Sequence, residues 1–412
     1  MVGNGEFKKL GWLYEGAFKC GMINSSNPTN GGVNSSSATN GNIKIKTDLL
    51  SQTTYNISLD YATTSNTLLT PYYGDYVLSD ISSKDMSITT DYANQVLKID
   101  GNGVFIGDIY NISVTKSFIM NSDWRNSAGW VLGEGCTING NLNIGLDPDD
   151  NSSTTLSTSV SQNIEYILPG QKWVIKTYVE NISPATELSV LVNGNSVFYY
   201  KNEQDIETGD NESFPIDTTF DVAGNDGGIS FDLINLRDSS ISSIIKNLIF
   251  KPINLCRNPE FSNTDYWVLG ANTIISNSAL NFNTLTATNT TQSLKLLTNT
   301  KYDIEYTIIN YVSGSIKIGI DDEFGEVRSS NGIFKDVIEF NSNNTNCNLN
   351  INVPSSFVGS IVNIKIIPHN EIYDNDFKII PSWNNRNNMD VTIDGELPLN
   401  NIYVYTDNIL YQ

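Results

Sequence analysis

One three-part pattern recurs three times along this chain, and it limits the fold more than any other feature. The opening landmark is Asn-x-acidic-aromatic followed by Trp: "NGEFKKLGW" from Asn4, "NSDWRNSAGW" from Asn121 and "NPEFSNTDYW" from Asn258. The middle landmark is a turn, an aromatic and then strict alternation: "SQTTYNISLDYA" (51–62), "LPGQKWVIKTYV" (168–179) and "LTNTKYDIEYTI" (297–308). The closing landmark is a short run centred on Asn-Ile or Asn-Leu: "IYNISVTK" (109–116), "IIKNLIFK" (244–251) and "YTDNILYQ" (405–412). Three landmarks in one order, three times over, describe a repeated building block of 1–116, 117–252 and 253–412.

The period within the landmarks is two. Tyr55, Ile57, Leu59 and Tyr61 fall on one side of their run and Asn56, Ser58 and Asp60 on the other, as a strand with one buried face requires. Turn chemistry separates the runs. Asn193-Gly194 lies between two β-rich segments and predicts a hairpin. Capped helical patterns are nearly absent, so an all-β chain is expected. The joints "SVTKSFIMNSDW" and "IFKPINLCRNPEF" are short, which predicts a stiff row of three beads, each with its own interior.

These landmarks resemble the jelly-roll carbohydrate-binding modules, the galactose-binding-like β-sandwiches. The resemblance implies three tandem jelly-roll domains over nearly the whole chain. It also implies a structural calcium near the first and last strands of a module. Glu260 and Asp407 are the residues placed to hold it, in the third repeat; in the second, Asp123 stands opposite Lys246 and is expected to form an ion pair instead. "DPDDN" (147–151) begins like a calcium loop but lacks the turn glycine and the closing Glu.

Sugar binding needs flat aromatic rings beside side chains that satisfy hydroxyls. "PYYGDY" (Tyr72, Tyr73, Tyr76), "VFYYKN" (Tyr199, Tyr200) and "SWNN" (Trp383) are the candidates; in a sandwich, such tyrosines also serve as core. The opening aromatics Phe7, Trp124 and Phe261, with Trp12, Trp130 and Trp267, read as core anchors.

Composition narrows the function. Net charge is −21 with only 17% charged residues, so a phosphate backbone is repelled and nucleic acid is not an expected partner. No apolar run approaches the ~20 residues of a membrane span, and "MVGNGEFKKLGW" carries no secretory signal pattern. The four cysteines lack CxxC spacing and read as buried thiols. His369 is the only histidine, which removes His-cluster metal sites, and it reads as a loop residue. GxSxG, Walker-type and HExxH motifs are absent. Carboxylates suffice by number for a glycosidase pair, but "DDEFGE" (321–326) and "NEQDIETGDNE" (202–212) read as polar loops.

The chain is therefore read as non-enzymatic. The expected role is a bacteriophage virion surface protein, as capsid decoration, head fibre or tail-associated adhesin. It would be made in the host cytoplasm and oligomeric on the particle, touching other virion proteins and host glycans. The competing reading is a carbohydrate-binding protein of a bacterial cell-surface or secreted polysaccharide system.

Overall fold

The computed structural model describes residues 12–16, 18–22, 31–35, 41–47, 49–63, 69–74, 76–77, 84–92, 96–100, 107–146, 156–204, 209–224, 227–235, 241–371, 382–383, 391–392, 404–406 and 409–411. Among them there is no helix, and every ladder whose register is described is antiparallel. The chain is an all-β jelly-roll protein, and its six large sheets fall into three consecutive pairs.

The first pair uses β1 (Trp12–Gly16), β2 (Phe18–Met22), β3 (Gly31–Ser35), β4 (Gly41–Lys46), β5 (Thr54–Thr63), β6 (Thr70–Tyr73), β7 (Tyr76–Val77), β8 (Asp85–Thr89), β9 (Val96–Asp100) and β10 (Gly107–Lys116). Its sheets run β1-β4-β9-β6-β7 and β2-β3-β10-β5-β8. The second uses β11 (Val131–Leu132), β12 (Cys136–Ile138), β13 (Leu142–Leu146), β14 (Leu156–Asn163), β15 (Lys172–Ile182), β16 (Thr186–Val192), β17 (Asn195–Lys201), β18 (Glu212–Asp221), β19 (Gly228–Asn235), β20 (Ile241–Ile245) and β21 (Ile249–Asn254). Its sheets run β11-β14-β19-β16-β17 and β12-β13-β20-β15-β18, with β21 also on β15. The third uses β22 (Thr273–Ser276), β23 (Ala279–Thr284), β24 (Thr288–Lys295), β25 (Thr300–Gly314), β26 (Lys317–Ile320), β27 (Glu323–Phe324), β28 (Gly332–Phe340), β29 (Asn346–Val353) and β30 (Phe357–Pro368). Its sheets run β24-β29-β26-β27 and β22-β23-β30-β25-β28. Position for position the three orders coincide; in the third, Val268 bridges Thr291 where β11 stands in the second.

The landmarks explain this repetition physically. Trp124, Phe261, Trp130 and Trp267 are all buried, as expected of core anchors. Asn121 and Asn258 open their loops at positive φ, 50° and 45°, a conformation Asn tolerates. The residue before each Asn is gripped by a buried glutamine. Gln162 accepts from Met120 N at 2.8 Å and donates to Met120 O at 3.0 Å; Gln292 does the same to Arg257, at 2.8 and 2.7 Å. The opening loop then reaches the closing strand: Leu248 N donates to Ser122 O at 2.8 Å and Ile364 N to Pro259 O at 3.2 Å. So the first and last landmarks recur together because they are hydrogen-bonded to each other.

The middle landmark closes a corner. Tyr55 and Tyr302 are buried, and their phenol oxygens accept from Leu50 N at 3.0 Å and Leu297 N at 2.8 Å. Burial drives the Tyr55 hydroxyl up to about 12. In the second repeat Trp173 cannot accept. There Gln171 takes the bond from Leu168 N at 2.9 Å and from Trp173 Nε1 at 3.2 Å. The expected hairpin at Asn193-Gly194 forms, with φ of 49° and 75° and Val192 paired to Asn195.

Two expectations are corrected. The third closing strand is Phe357–Pro368, which lies between β23 and β25; among the described residues the strands at 404–406 and 409–411, β33 and β34, pair with each other, as do β31 (Ser382–Trp383) and β32 (Val391–Thr392). The kernel "VNIKI" is the true counterpart of "KNLIF": Asn363, at φ 56°, sits in the bulge that turns Ile364 inward. Nor do the second and third repeats have separate interiors. One continuous buried apolar cluster runs from Phe118 to Ile366, and the described residues within 116–369 form one compact unit; those within 1–115 and 370–412 form the other. At the joint, Gln171 of the second repeat donates to the carbonyl of Leu255 in the third at 3.1 Å, and Leu255 is fully buried.

The 116–369 unit begins and ends on one turn. Lys116 Nζ donates to Thr298 O at 3.2 Å and His369 N to Lys301 O at 2.8 Å. Within the other unit, Asn370 Oδ1 accepts from Val114 N at 2.8 Å and Glu371 N donates to Val114 O at 2.7 Å.

Candidate functional site

The sheet β14-β19-β16-β17 turns Val160, Phe231, Leu233, Leu188 and Val190 inward, all essentially without exposure. Its other face must then carry the intervening residues. Register aligns Ser159, Asp232, Ser189 and Tyr199 in one row across four strands, and Ser157, Ile234, Glu187 and Lys201 in the next. Tyr199 is 55% exposed, beside Glu187, which forms an ion pair with Lys201 Nζ at 3.7 Å. Burial raises the Asp232 carboxyl, and its bond with Ser230 opposes this. The face offers a ring, two carboxylates, an ammonium and several hydroxyls.

The equivalent sheets of the other two repeats also bring an aromatic and a lysine together, at different strand positions. In β4-β9-β6-β7, Lys98 pairs in register with Tyr72 between the inward Leu97 and Ile99, and its ammonium lies 4.0 Å from the ring centre. In β24-β29-β26-β27, Lys317 Nζ lies 4.0 Å above Phe324. Phe324 was hidden in "DDEFGE": Glu323–Phe324 forms a two-residue edge strand on β26, and only the close approach of Gly319 allows it. A Cβ on Gly319 would run into the Glu323 carbonyl and the Phe324 backbone.

The remaining sugar candidates divide. Tyr73, next to Tyr72, points inward and is 2% exposed, so it is core and not a platform. Tyr200 is half-buried and packs on Phe214 at 4.1 Å, with Phe198 beside it at 6.0 Å; it closes the open edge between β17 and β18. Tyr76 and Trp383 lie on β7 and β31, and their side chains fall outside the described residues. Of the calcium candidates, Glu260 is exposed and Asp407 lies outside the described residues. Among the described residues no cluster of three His, Cys, Asp or Glu is placed to hold a metal. The expected Asp123–Lys246 pair is corrected: Lys246 bonds Glu180 at 3.2 Å, while Asp123 bonds Arg125 at 2.7 Å. Register gives the cause: Glu180 of β15 pairs with Ile244, two residues from Lys246, and so stands beside it across the ladder.

Two buried carboxylates of the third repeat are held by cations. Asp303, 5% exposed, accepts from His369 Nδ1 at 2.6 Å and Lys335 Nζ at 2.8 Å. Burial pushes its carboxyl up, but these bonds outweigh it and hold it below the usual value. Asp336 accepts from Arg328 at 2.6 Å and Tyr306 at 3.0 Å. His369 thus serves a buried carboxylate at the end of β30, where a plain loop residue was expected.

No family description and no curated protein matches the chain. Among solved structures it is similar to the enzymatically active domain of bacteriophage CBA120 tailspike protein 4, at 17% identity over 28% of this chain and 22% of that domain, TM-score 0.22. The match therefore spans about a fifth of that domain. It is also similar to the N-terminal CBM22 tandem of Paenibacillus barcinonensis Xyn10C, at 10% identity over 60% of this chain and 94% of that one, TM-score 0.22. A triple jelly roll from the turret of an archaeal virus matches at 10% identity over 85% and 90% of the two chains, TM-score 0.19. At these scores none of them says what the chain binds.

Proposed function

We propose that this chain is a non-enzymatic glycan-binding protein displayed on a bacteriophage particle, and that it binds through the outward faces of the aromatic-bearing sheets. The observation that carries the glycan reading is that each of the three equivalent sheets carries an aromatic ring with a charged side chain beside it on its outward face: Tyr72 with Lys98, Tyr199 near Glu187 and Lys201, Phe324 with Lys317. A flat ring offers an apolar surface to the C–H face of a sugar, and the neighbouring polar groups fix its orientation. The non-enzymatic reading is supported by the engagement of Asp303 and Asp336 with cations. The virion reading draws on the Asn/Ser/Thr-rich, weakly ionic composition and on tandem sandwiches.

Two experiments test it. On a glycan array, wild-type protein should bind a defined set of sugars, and Tyr199→Ala combined with Phe324→Ala should lose most of that signal; equal binding by the variant rejects the sheet faces. Fractionated phage particles probed with antibody should contain the protein. Its absence from them turns the reading toward a bacterial polysaccharide-binding protein.

A further inference from the structure

The outward face of the third repeat's sheet is unlike the other two. Strand β29 reads Asn-Cys-Asn-Leu-Asn-Ile-Asn-Val. Cys347, Leu349, Ile351 and Val353 turn into the core, so Asn346, Asn348, Asn350 and Asn352 form a row on the other side, about 7 Å from one to the next. Register adds Asn289, Thr291 and Ser293 from β24 beside Asn352, Asn350 and Asn348, and Lys317 of β26 beside Asn352.

Folding alone gives no reason for this row. Asn is among the poorest strand formers, and the equivalent strand β19 turns Ser230, Asp232 and Ile234 outward. A local rule broken four times in one strand with a well-packed inner face marks a site kept for something other than stability.

The chemistry is specific. An amide offers two donors and an acceptor without charge, matching a hydroxyl that both gives and takes a hydrogen bond. Part of the row is already braced. Asn289 Nδ2 donates to Asn350 Oδ1 at 3.2 Å, Ser293 Oγ to Asn348 Oδ1 at 3.4 Å, and Asn350 Nδ2 to Asp321 O at 2.6 Å. Braced side chains lose less freedom when a ligand arrives. Asn348, Asn350, Thr291 and Ser293 carry no charge, with Lys317 and Asp321 beside them, and the net charge of −21 disfavours a polyanion.

We infer that this face, with Asn352 and Thr291 as its principal contacts and Phe324 at its end, is a binding site for an uncharged polysaccharide. The inference rests on the glycan reading above and assigns one ligand class to one face. Affinity electrophoresis of the full chain tests it, in gels cast with galactomannan, with hydroxyethylcellulose or with polygalacturonate. Wild-type protein should be retarded in at least one neutral gel and not by polygalacturonate. Thr291→Ala with Asn352→Ala should weaken neutral binding tenfold or more with an unchanged melting curve, and Asn352→Asp should weaken it with the fold kept. Retardation by polygalacturonate alone, or in neither neutral gel, overturns the inference. If the amide variants bind as wild type while Tyr199→Ala does not, this face is wrong and the sheet-face reading stands.

Discussion

At the residue scale, the repeat is held by side-chain amides that sequence pattern alone does not single out. Gln162 and Gln292 each satisfy both backbone groups of one residue in the opening loop. Replacing either with Ala leaves a buried N–H and C=O unpaired, and should cost about 1–3 kcal/mol, read as a lower urea midpoint at unchanged slope. Asp303 gives a pH signature. Its carboxyl is held below the ordinary value of 3.8, so its contribution is complete above that value and drains away as pH falls through the folded one. Wild-type protein should lose stability on acidification below about pH 4. Asp303→Asn should be weaker at neutral pH by about 1–3 kcal/mol and show a flatter acid limb in melting temperature against pH.

At the element scale, alternation made most strands readable, and the Asn-Gly hairpin was legible because two adjacent residues needed positive φ. The third closing strand was not. Its kernel is two residues long, and "VNIKI" and "DNILY" both carry it; only the bulge at Asn363, which delivers Ile364 N to Pro259 O, tells them apart. The candidate site was legible in part. Tyr72 and Tyr199 lie on the outward faces, but adjacent tyrosines in a strand point oppositely, so Tyr73 and Tyr200 had to fall elsewhere. Phe324 escaped because a two-residue strand has no period. Its position depends on Gly319. Gly319→Ala should splay the β26–β27 hairpin and cost about 1–3 kcal/mol from overpacking, with a lower melting temperature and loss of any glycan binding that Phe324 supports.

At the scale of the whole molecule, the shared apolar cluster of residues 116–369 replaces the separate interiors that the sequence repeats imply. Similar building blocks can still fuse when the residues linking them are buried, as Leu255 is, with its carbonyl taken by Gln171 of the preceding repeat. A fragment of residues 116–369 should therefore unfold in one calorimetric transition, with van't Hoff and calorimetric enthalpies equal; two resolved transitions would show that the joint does not couple its halves. The same unit leaves and rejoins the chain on a single turn, Thr298–Lys301. Polypeptide ends that meet in this way suit a cassette: a module with neighbouring ends grafted in place of this segment should leave the flanking chain able to fold.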